Sequence, residues 1–393
     1  MHLALVSVNK CGCEPTSLLY LASYINSKTK DRADIIDSNW TADPVRTILQ
    51  QEYDTVGISA MTCDYEQATR LAIELKKKKP SILILIGGIH ISCLPESTRS
   101  CFDIAVIGEG ETYFSSESLN LEDYPALDRN LLNVHYWDKK FMPGLMRYDR
   151  SSILMGSRGC PYHCIFCASP VFWKGYRSFS IPWIIRELQD MFERGIRHVV
   201  IFDDIFTCQQ KRLEDFAVLK ERAGLKKMTL SVNSRSSLIT KETCELLRAS
   251  NVQSVMFGWE SGNQRVLNIL KGQAVKLEDN YQSIKLCKKY KLLAMGGVVF
   301  DNPTETWKEK LDSIKFIWFA WWNGAAAVTP FKLHPLPGTK IWKQYEEKGI
   351  VSSNMNFNLL DFEPGQGLQW WIKVLIWFPL FMMKIRKCLW LFK

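Results

Sequence analysis

An export leader is not expected from the opening residues. The start, "MHLALVSVNK", reads as a β-strand and lacks the basic n-region and small-residue cleavage site of a secretory signal. The expectation is a reducing, cytoplasmic setting. Concentrated charge of one sign is also missing. The formal net charge of +9 comes from 50 Lys and Arg against 41 Asp and Glu, and runs such as "KKKK" at 76–79 and "KKYK" at 288–291 look like solvated helix faces. Nucleic acid is therefore not expected as a partner. Nor is a disulfide framework: of the twelve cysteines, Cys93, Cys101, Cys244 and Cys287 stand singly in apolar or helical settings, where a buried thiol is the ordinary state. Cys11 and Cys13 form a C-x-C pair assigned to a loop. In a reducing compartment, metal or redox chemistry is the better use of grouped thiols.

A membrane-spanning run is missing from the apolar tail. Residues 367–393 are nearly all apolar, yet their longest uncharged run is ten residues, too short for the ~30 Å hydrocarbon core of a bilayer. At about 100° per residue, Gln366, Gln369, Lys373, Lys384 and Lys387 fall within one narrow stripe. That pattern suits an amphipathic helix lying peripherally in a membrane interface, kinked near Pro379. It equally suits a helix covering the body of the protein with its polar stripe outward, and both readings stand.

What is present is the composition of a folded chain, with 47% apolar and 23% charged residues. In residues 1–119, the apolar runs "LALVSV", "ADIID", "TVGISAM", "ILILIGG" and "DIAVIG" alternate with segments whose apolar residues lie three and four apart. This predicts an α/β domain with a doubly wound parallel sheet. Ligands of such sheets bind outside the carboxyl ends of the strands. That rule singles out Gly87, Gly88, His90 and Ser92 after the fourth strand, and Gly108, Glu109, Gly110 and Glu111 after the fifth. Glycines there let a flat ligand approach the backbone closely. Residues 120–148 read as a linker. Over 149–350 the alternation resumes with six strands, "SSILMGSRG", "HVVIFDD", "TLSVNSR", "SVMFGWE", "LAMGGVVF" and "AAVTPFKLHPLP", and helices near 181–194, 210–222, 240–249, 263–290, 304–322 and 339–348. Six βα units predict a (β/α)6 partial TIM barrel whose chemistry sits at the carboxyl ends of its strands. Residues 351–393 form a C-terminal segment.

The segment "SRGCPYHCIFCASP" (157–170) places Cys160, Cys164 and Cys167 within eight positions. Three thiolates on one loop suit a soft metal or an iron–sulfur cluster. Structural zinc takes four ligands, and no fourth Cys or His stands at finger-like spacing. Three ligands leave one iron of a 4Fe–4S cluster open.

C-x-x-x-C-x-x-C with the aromatic Phe166 before its last cysteine, after the first strand of a six-unit barrel, resembles the radical S-adenosylmethionine superfamily. "VVIFDDIF", "VNSRSSLIT", "VMFGWESGNQRVLNILKG" and "HPLPGT" resemble the second-, third-, fourth- and sixth-strand motifs of its subfamily with an N-terminal cobalamin-binding domain. "PTSLLYLASYI", "GGIHISCLPE" and "DIAVIGEGET" resemble that flavodoxin-like domain itself. The likeness covers residues 1 to about 350. It departs at the fifth strand, where "DNPTET" (301–306) stands for Gly-x-Pro-Gly-Glu-Thr, and there is no D-x-H-x-x-G motif, so no histidine is expected beneath a cobalt.

The resemblance implies an enzyme with a 4Fe–4S cluster on the three cysteines, S-adenosylmethionine at the open iron, and cobalamin at the N-terminal sheet. It further implies a methyltransferase acting on an unactivated carbon or phosphorus centre by way of a 5′-deoxyadenosyl radical. The alternative is a cyclisation, rearrangement or C–C coupling without net methylation. A non-catalytic sensor would not need the polar residues at the strand ends. Glu260 would accept a hydrogen bond from the cofactor's ammonium. Arg235 would pair with its carboxylate or with Asp203 or Glu260 as a structural ion pair. Asp203 and Asp204, adjacent on a strand, would point to opposite faces. Tyr162 and His334 are candidate lumen residues. A one-electron donor such as flavodoxin or ferredoxin is implied, and the tail and "IWFAWWNG" (317–324) raise the expectation of a small or lipid-like substrate.

Overall fold

A computed structural model describes residues 1–9, 13–115, 119–132, 134–138, 150–360 and 368–376. The N-terminal sheet comprises β1 (His2–Ser7), β2 (Arg32–Asp37), β3 (Thr55–Ser59), β4 (Leu83–Gly87) and β5 (Ile104–Ala105). All are parallel, in the order β2-β1-β3-β4-β5. The order reverses between β1 and β3, which opens a crevice at their carboxyl ends. Both faces of the sheet are covered. Leu3 and Leu5 enter a core shared with the C-terminal half, while Ala4 and Val6 enter a second core on the other side, as the two-residue period of a strand demands.

The C-terminal half holds β6 (Ser151–Leu154), β7 (Ser157–Arg158), β8 (Arg177–Ser178), β9 (His198–Ile201), β10 (Thr229–Ser234), β11 (Val252–Glu260), β12 (Leu293–Phe300) and β13 (Ala327–Lys332). Six of them form one parallel sheet in sequential order, β6-β9-β10-β11-β12-β13, with helices between. β6 and β13 are its edges, so the barrel is open.

Two elements depart from the sequence reading. "SSILMGSRG" is not one strand: the amides of Gly156 and Ser157 turn to Asp203 Oδ1, at 2.6 and 2.9 Å, and leave the ladder. The chain then forms a separate antiparallel pair, β7 with β8. The helix expected over 263–290 is two, Gln264–Lys271 and Leu277–Lys289, parted at Gly272, whose φ of +83° ends the first in the manner of a C-terminal glycine cap.

The stretch read as a linker is packed where it is described. Leu121, Tyr124, Leu127 and Leu132 belong to the shared core, and the unexposed Arg129 side chain bridges Glu187 and Asp190 at 2.8 Å each. Cys13, read as a loop thiol, is disulfide-bonded; Cys11 lies outside the described residues.

Residues 370–376 are helical. Leu368, Ile372 and Ile376 are buried in the shared core, and Trp318 Nε1 donates to the Leu375 carbonyl at 3.1 Å. Gln369 and Lys373 are exposed, whereas Gln366, Pro379, Lys384 and Lys387 lie outside the described residues. Among the described residues no helix is long and apolar enough to cross a membrane.

Candidate functional site

The cysteines sit on the loop 159–176, closed at its neck by β7 and β8. Gly159 has φ +82°, and a Cβ there would come within 2.1 Å of the Gly175 carbonyl, so only glycine fits. Two hydrogen bonds pin the middle of the loop: Ile165 N donates to the Leu270 carbonyl at 3.0 Å, and Ile341 N donates to the Ile165 carbonyl at 3.2 Å. Cys160, Cys164 and Cys167 are free and half-buried. Burial pushes the thiols up, Cys160 to about 11 and Cys167 to about 12. Binding iron as thiolates therefore releases protons. Cys164 is also raised by burial, against the nearby cations Lys271 and Arg235.

No three His, Cys, Asp or Glu side chains among the described residues converge on a single ion-sized point. The three thiols lie close enough to feel one another's charge. Donor type, donor number and the two cations at Cys164 fit a cluster.

The carboxyl ends of β9, β10 and β11 face this loop. Glu260 ends β11 at a bulge, with φ +61° and its carboxyl buried. Burial raises its pKa, although Lys271 and Arg235 pull the other way. Lys271 Nζ stands 3.6 Å from Glu260 Oε1 and donates to the Gly258 carbonyl at 2.5 Å. A Cβ at Gly258 would lie 2.1 Å from Glu260 Oε1, so a side chain there would displace the carboxyl. Arg235 is buried, with its guanidinium 3.9 Å from the Tyr162 ring centroid. Its contacts are with the cysteine loop, and it makes no salt bridge to Asp203. The two aspartates diverge, though not by strand alternation, since β9 ends at Ile201. Asp203 is buried, braces the turn after β6, and is raised to about 6 by that burial. Asp204 turns to the cysteine loop, accepting from Ser169 Oγ at 2.6 Å. Phe166 is half-buried, His163 exposed and His334 half-buried.

A cavity of about 370 Å³ lies at the carboxyl ends of β1, β3, β4 and β5. Gly57, Gly87, Gly88, Gly108, Glu109 and Gly110 border it on the sheet side, and Met155, Arg158, Phe172 and Trp173 close it from the barrel side. A mostly apolar crevice with glycines where strands end suits a flat heteroaromatic group and its tail. No histidine is among its lining residues.

Two expectations are corrected here. His90 does not face this cavity. It is fully buried between the rings of Tyr65 and Phe357, at 4.2 and 4.5 Å, and its ring nitrogens meet Thr62 Oγ1 and Ser97 Oγ. Burial lowers it to about 4. Ser92 lies behind the rim, accepting from Gly108 N at 2.9 Å and donating to the Gly88 carbonyl at 2.8 Å. Sequence reasoning missed Arg158 and Lys271. Lys271 lay within a quoted motif without a role, and Arg158 has partners far away in the chain.

Comparison with known proteins matches residues 154–317 to the radical SAM superfamily and residues 4–116 to the B12 binding domain. An uncharacterized methyltransferase of Pyrococcus horikoshii is 26% identical over 373 residues, covering 84% of this chain and 78% of that protein. The bacteriochlorophyllide d C-8(2)-methyltransferase of Chlorobaculum tepidum is 25% identical over 331 residues, covering 77% of this chain and 70% of its own. Among solved structures, the radical S-adenosylmethionine methyltransferase TsrM from Kitasatospora setae, with cobalamin and a 4Fe–4S cluster bound, superposes with a TM-score of 0.70 at 17% identity over 88% of this chain and 78% of that one. At that identity the likeness is one of fold.

Proposed function

Since the chain is a radical S-adenosylmethionine enzyme with a B12-binding domain ahead of its barrel, we propose that it transfers a methyl group to an unactivated carbon or phosphorus centre of a small or lipid-like substrate. The observation that carries this reading is adjacency. The cavity of the first sheet is closed by residues flanking and belonging to the loop that holds the three cysteines, so methyl carrier and cluster would share one wall.

When bound, the cluster with S-adenosylmethionine supplies radical activation of the substrate and cobalamin supplies the methyl group. The protein's own part is binding and exclusion of water. Cys160, Cys164 and Cys167 would hold the cluster as thiolates, and the charge of Arg235 and Lys271 would offset theirs. Glu260, kept in place by Lys271, offers a buried acceptor to an ammonium. Glycine backbone at 87–88 and 108–110 gives a flat macrocycle's tail room to enter. The electron comes from an external reductant, for which a flavodoxin or ferredoxin has the right potential range.

The test is anaerobic reconstitution with iron, sulfide and hydroxocobalamin, followed by product analysis. Methyl transfer requires S-adenosylhomocysteine to form alongside 5′-deoxyadenosine. Deoxyadenosine alone would instead support cyclisation, rearrangement or C–C coupling.

Exposed aromatics favour contact with a lipid surface. Trp322 and Trp370 are 72% and 76% exposed, on two segments joined by the Trp318–Leu375 hydrogen bond, and Lys315 and Lys373 are exposed on the same segments. Tryptophan and lysine together are the composition of interfacial anchors. Co-flotation of the full chain with anionic liposomes, lost in Trp322→Glu/Trp370→Glu, is the expected result. Equal flotation of both proteins, or of neither, removes the idea.

A further inference from the structure

We propose that Glu109 is a positioning residue that clamps the cysteine loop to the N-terminal cavity, so that filling the cavity orders the loop. One carboxylate grips both ends of the loop. Glu109 Oε1 accepts from Arg158 Nη1 on β7 at 2.5 Å, and Oε2 accepts from Arg177 Nη2 on β8. These are the two strands between which residues 159–176 run, with Cys160 two positions beyond Arg158. Glu109 itself stands in the loop after β5 and lines the cavity between Gly108 and Gly110. It was expected as a cofactor contact, but its carboxylate is committed to the two arginines.

The clamp is not an ordinary surface pair. The Arg158 residue is 3% exposed and gives its other arm to Glu111 Oε1 at 2.7 Å, an oxygen that also accepts from Tyr124 Oη at 2.7 Å. Its guanidinium carbon lies 5.4 and 5.5 Å from the ring centroids of Tyr124 and Trp173. A cation so far from water cannot leave its carboxylates without a large desolvation cost. The β5 loop and the neck of the cysteine loop therefore move together or not at all.

Gly108, at φ +87° and held through its amide by Ser92 Oγ at 2.9 Å, turns the β5 loop so that its backbone faces the cavity. A group seated against the 108–110 backbone fixes Glu109, and through it both arginines. By linkage, an ordered cluster loop must in turn favour the filled cavity. The inference rests on the reading that the cavity takes a corrin.

Hydrogen–deuterium exchange of the full chain, with and without hydroxocobalamin, tests it. In the wild type, corrin slows exchange across 159–176, and the cluster-loaded protein binds hydroxocobalamin about fivefold or more tighter than the iron-stripped protein. Glu109→Gln, compared at hydroxocobalamin concentrations that saturate the variant, loses both effects. Arg177→Gln, which leaves Arg158 with both carboxylates, loses the slowing only toward the β8 end, and it carries the test should Glu109→Gln not fold. Equal slowing in wild type and variants, or a wild-type loop indifferent to bound corrin, overturns the clamp. A wild type that retains no corrin bands overturns the cavity's assignment instead, and the clamp with it.

Discussion

At the carboxyl ends of β3, β4 and β5 the chain presents mostly backbone and apolar surface to its cavity, with Gly57, Gly87, Gly88, Gly108 and Gly110 on the border. At the carboxyl ends of β9, β10 and β11 it presents buried charge: Asp203, Arg235 and Glu260, with Lys271 behind them. The two halves share the parallel βα plan and put their sites at the same end of their strands, yet they recognise by different means. Steric room suits a large flat group, whose affinity comes from area. Buried compensating charge suits thiolates, iron and a charged small cofactor, whose affinity comes from electrostatics. The two sites should therefore be broken by different substitutions, with the Glu109 clamp as the link between them. Cys164→Ala is the harshest test of that separation. It should abolish the iron chromophore of the reconstituted protein while hydroxocobalamin is still retained, and wild-type iron content in this variant would remove the thiol trio from the cluster.

Acid should separate the two halves as well. Burial lowers His90, in the N-terminal core, and His198, on β9, to about 4. Between that value and an unfolded pKa near 6.5 the unfolded chain binds the extra proton. The stability each neutral histidine provides is full above pH 6.5 and falls away as pH drops toward 4, by up to about 3 kcal/mol apiece. Glu66, held below its ordinary value by its Arg99 hydrogen bond, pulls the same way in the N-terminal domain. In the barrel Asp203 opposes it: burial raises that carboxyl from 3.8 to about 6, so the folded state takes the proton and gains stability as pH falls from 6 toward 4. Between pH 7 and 4.5, amide protection corrected for intrinsic rates should drop further in β1–β4 than in β9–β11, and His90→Phe should flatten the N-terminal loss. Equal losses in the two halves would erase this contrast.

The features legible in the sequence were those that depend on local pattern. Cysteine spacing marked the cluster loop, and alternating apolar runs marked both sheets and the strand ends where glycines gather. Contacts across the chain were not legible. Arg158 meets Glu109 and Glu111 across 49 and 47 positions, and nothing near Arg158 announces an acidic partner. His90 misled for a related reason. A histidine in a loop after a strand reads as available, but the short helix Ile89–Cys93 turns it inward beneath Phe357, which arrives from the C-terminal segment. Asp203 and Asp204 could be read only as pointing to opposite faces, with nothing to say what Asp203 meets. Asp203 is spent on the Gly156 and Ser157 amides, at the break that the apolar run "SSILMGSRG" concealed.

If the cavity is a matter of room, its glycines should differ according to what surrounds them. Gly88 has φ +95°, and a Cβ would lie 2.7 Å from the Ala60 carbonyl, so Gly88→Ala combines backbone strain with a clash and should cost about 3 kcal/mol. Gly108 is also left-handed, but a Cβ there meets nothing within 4 Å, and Gly108→Ala should cost only about 1 kcal/mol. Urea melts of the two variants give the comparison. Similar losses would mean that conformation, and not space, dictates both glycines.

The smallest effect sharpens the contrast most, because it touches one site through hydrogen bonds alone. Ser92 Oγ joins the two glycine loops of the rim, donating to the Gly88 carbonyl and accepting from Gly108 N. Ser92→Ala removes both bonds and adds no bulk. The side chain is only half-buried, so water can replace part of what is lost, and the net cost should be about 1 kcal/mol. That cost falls on the loop carrying Gly108 and Glu109, so hydroxocobalamin uptake should weaken about fivefold while the iron chromophore, whose ligands keep every contact, stays at the wild-type level. An iron chromophore that fell as far as corrin uptake would show that the rim bond, and not the thiol trio, sets cluster retention, and the division between a site of room and a site of charge would not survive it.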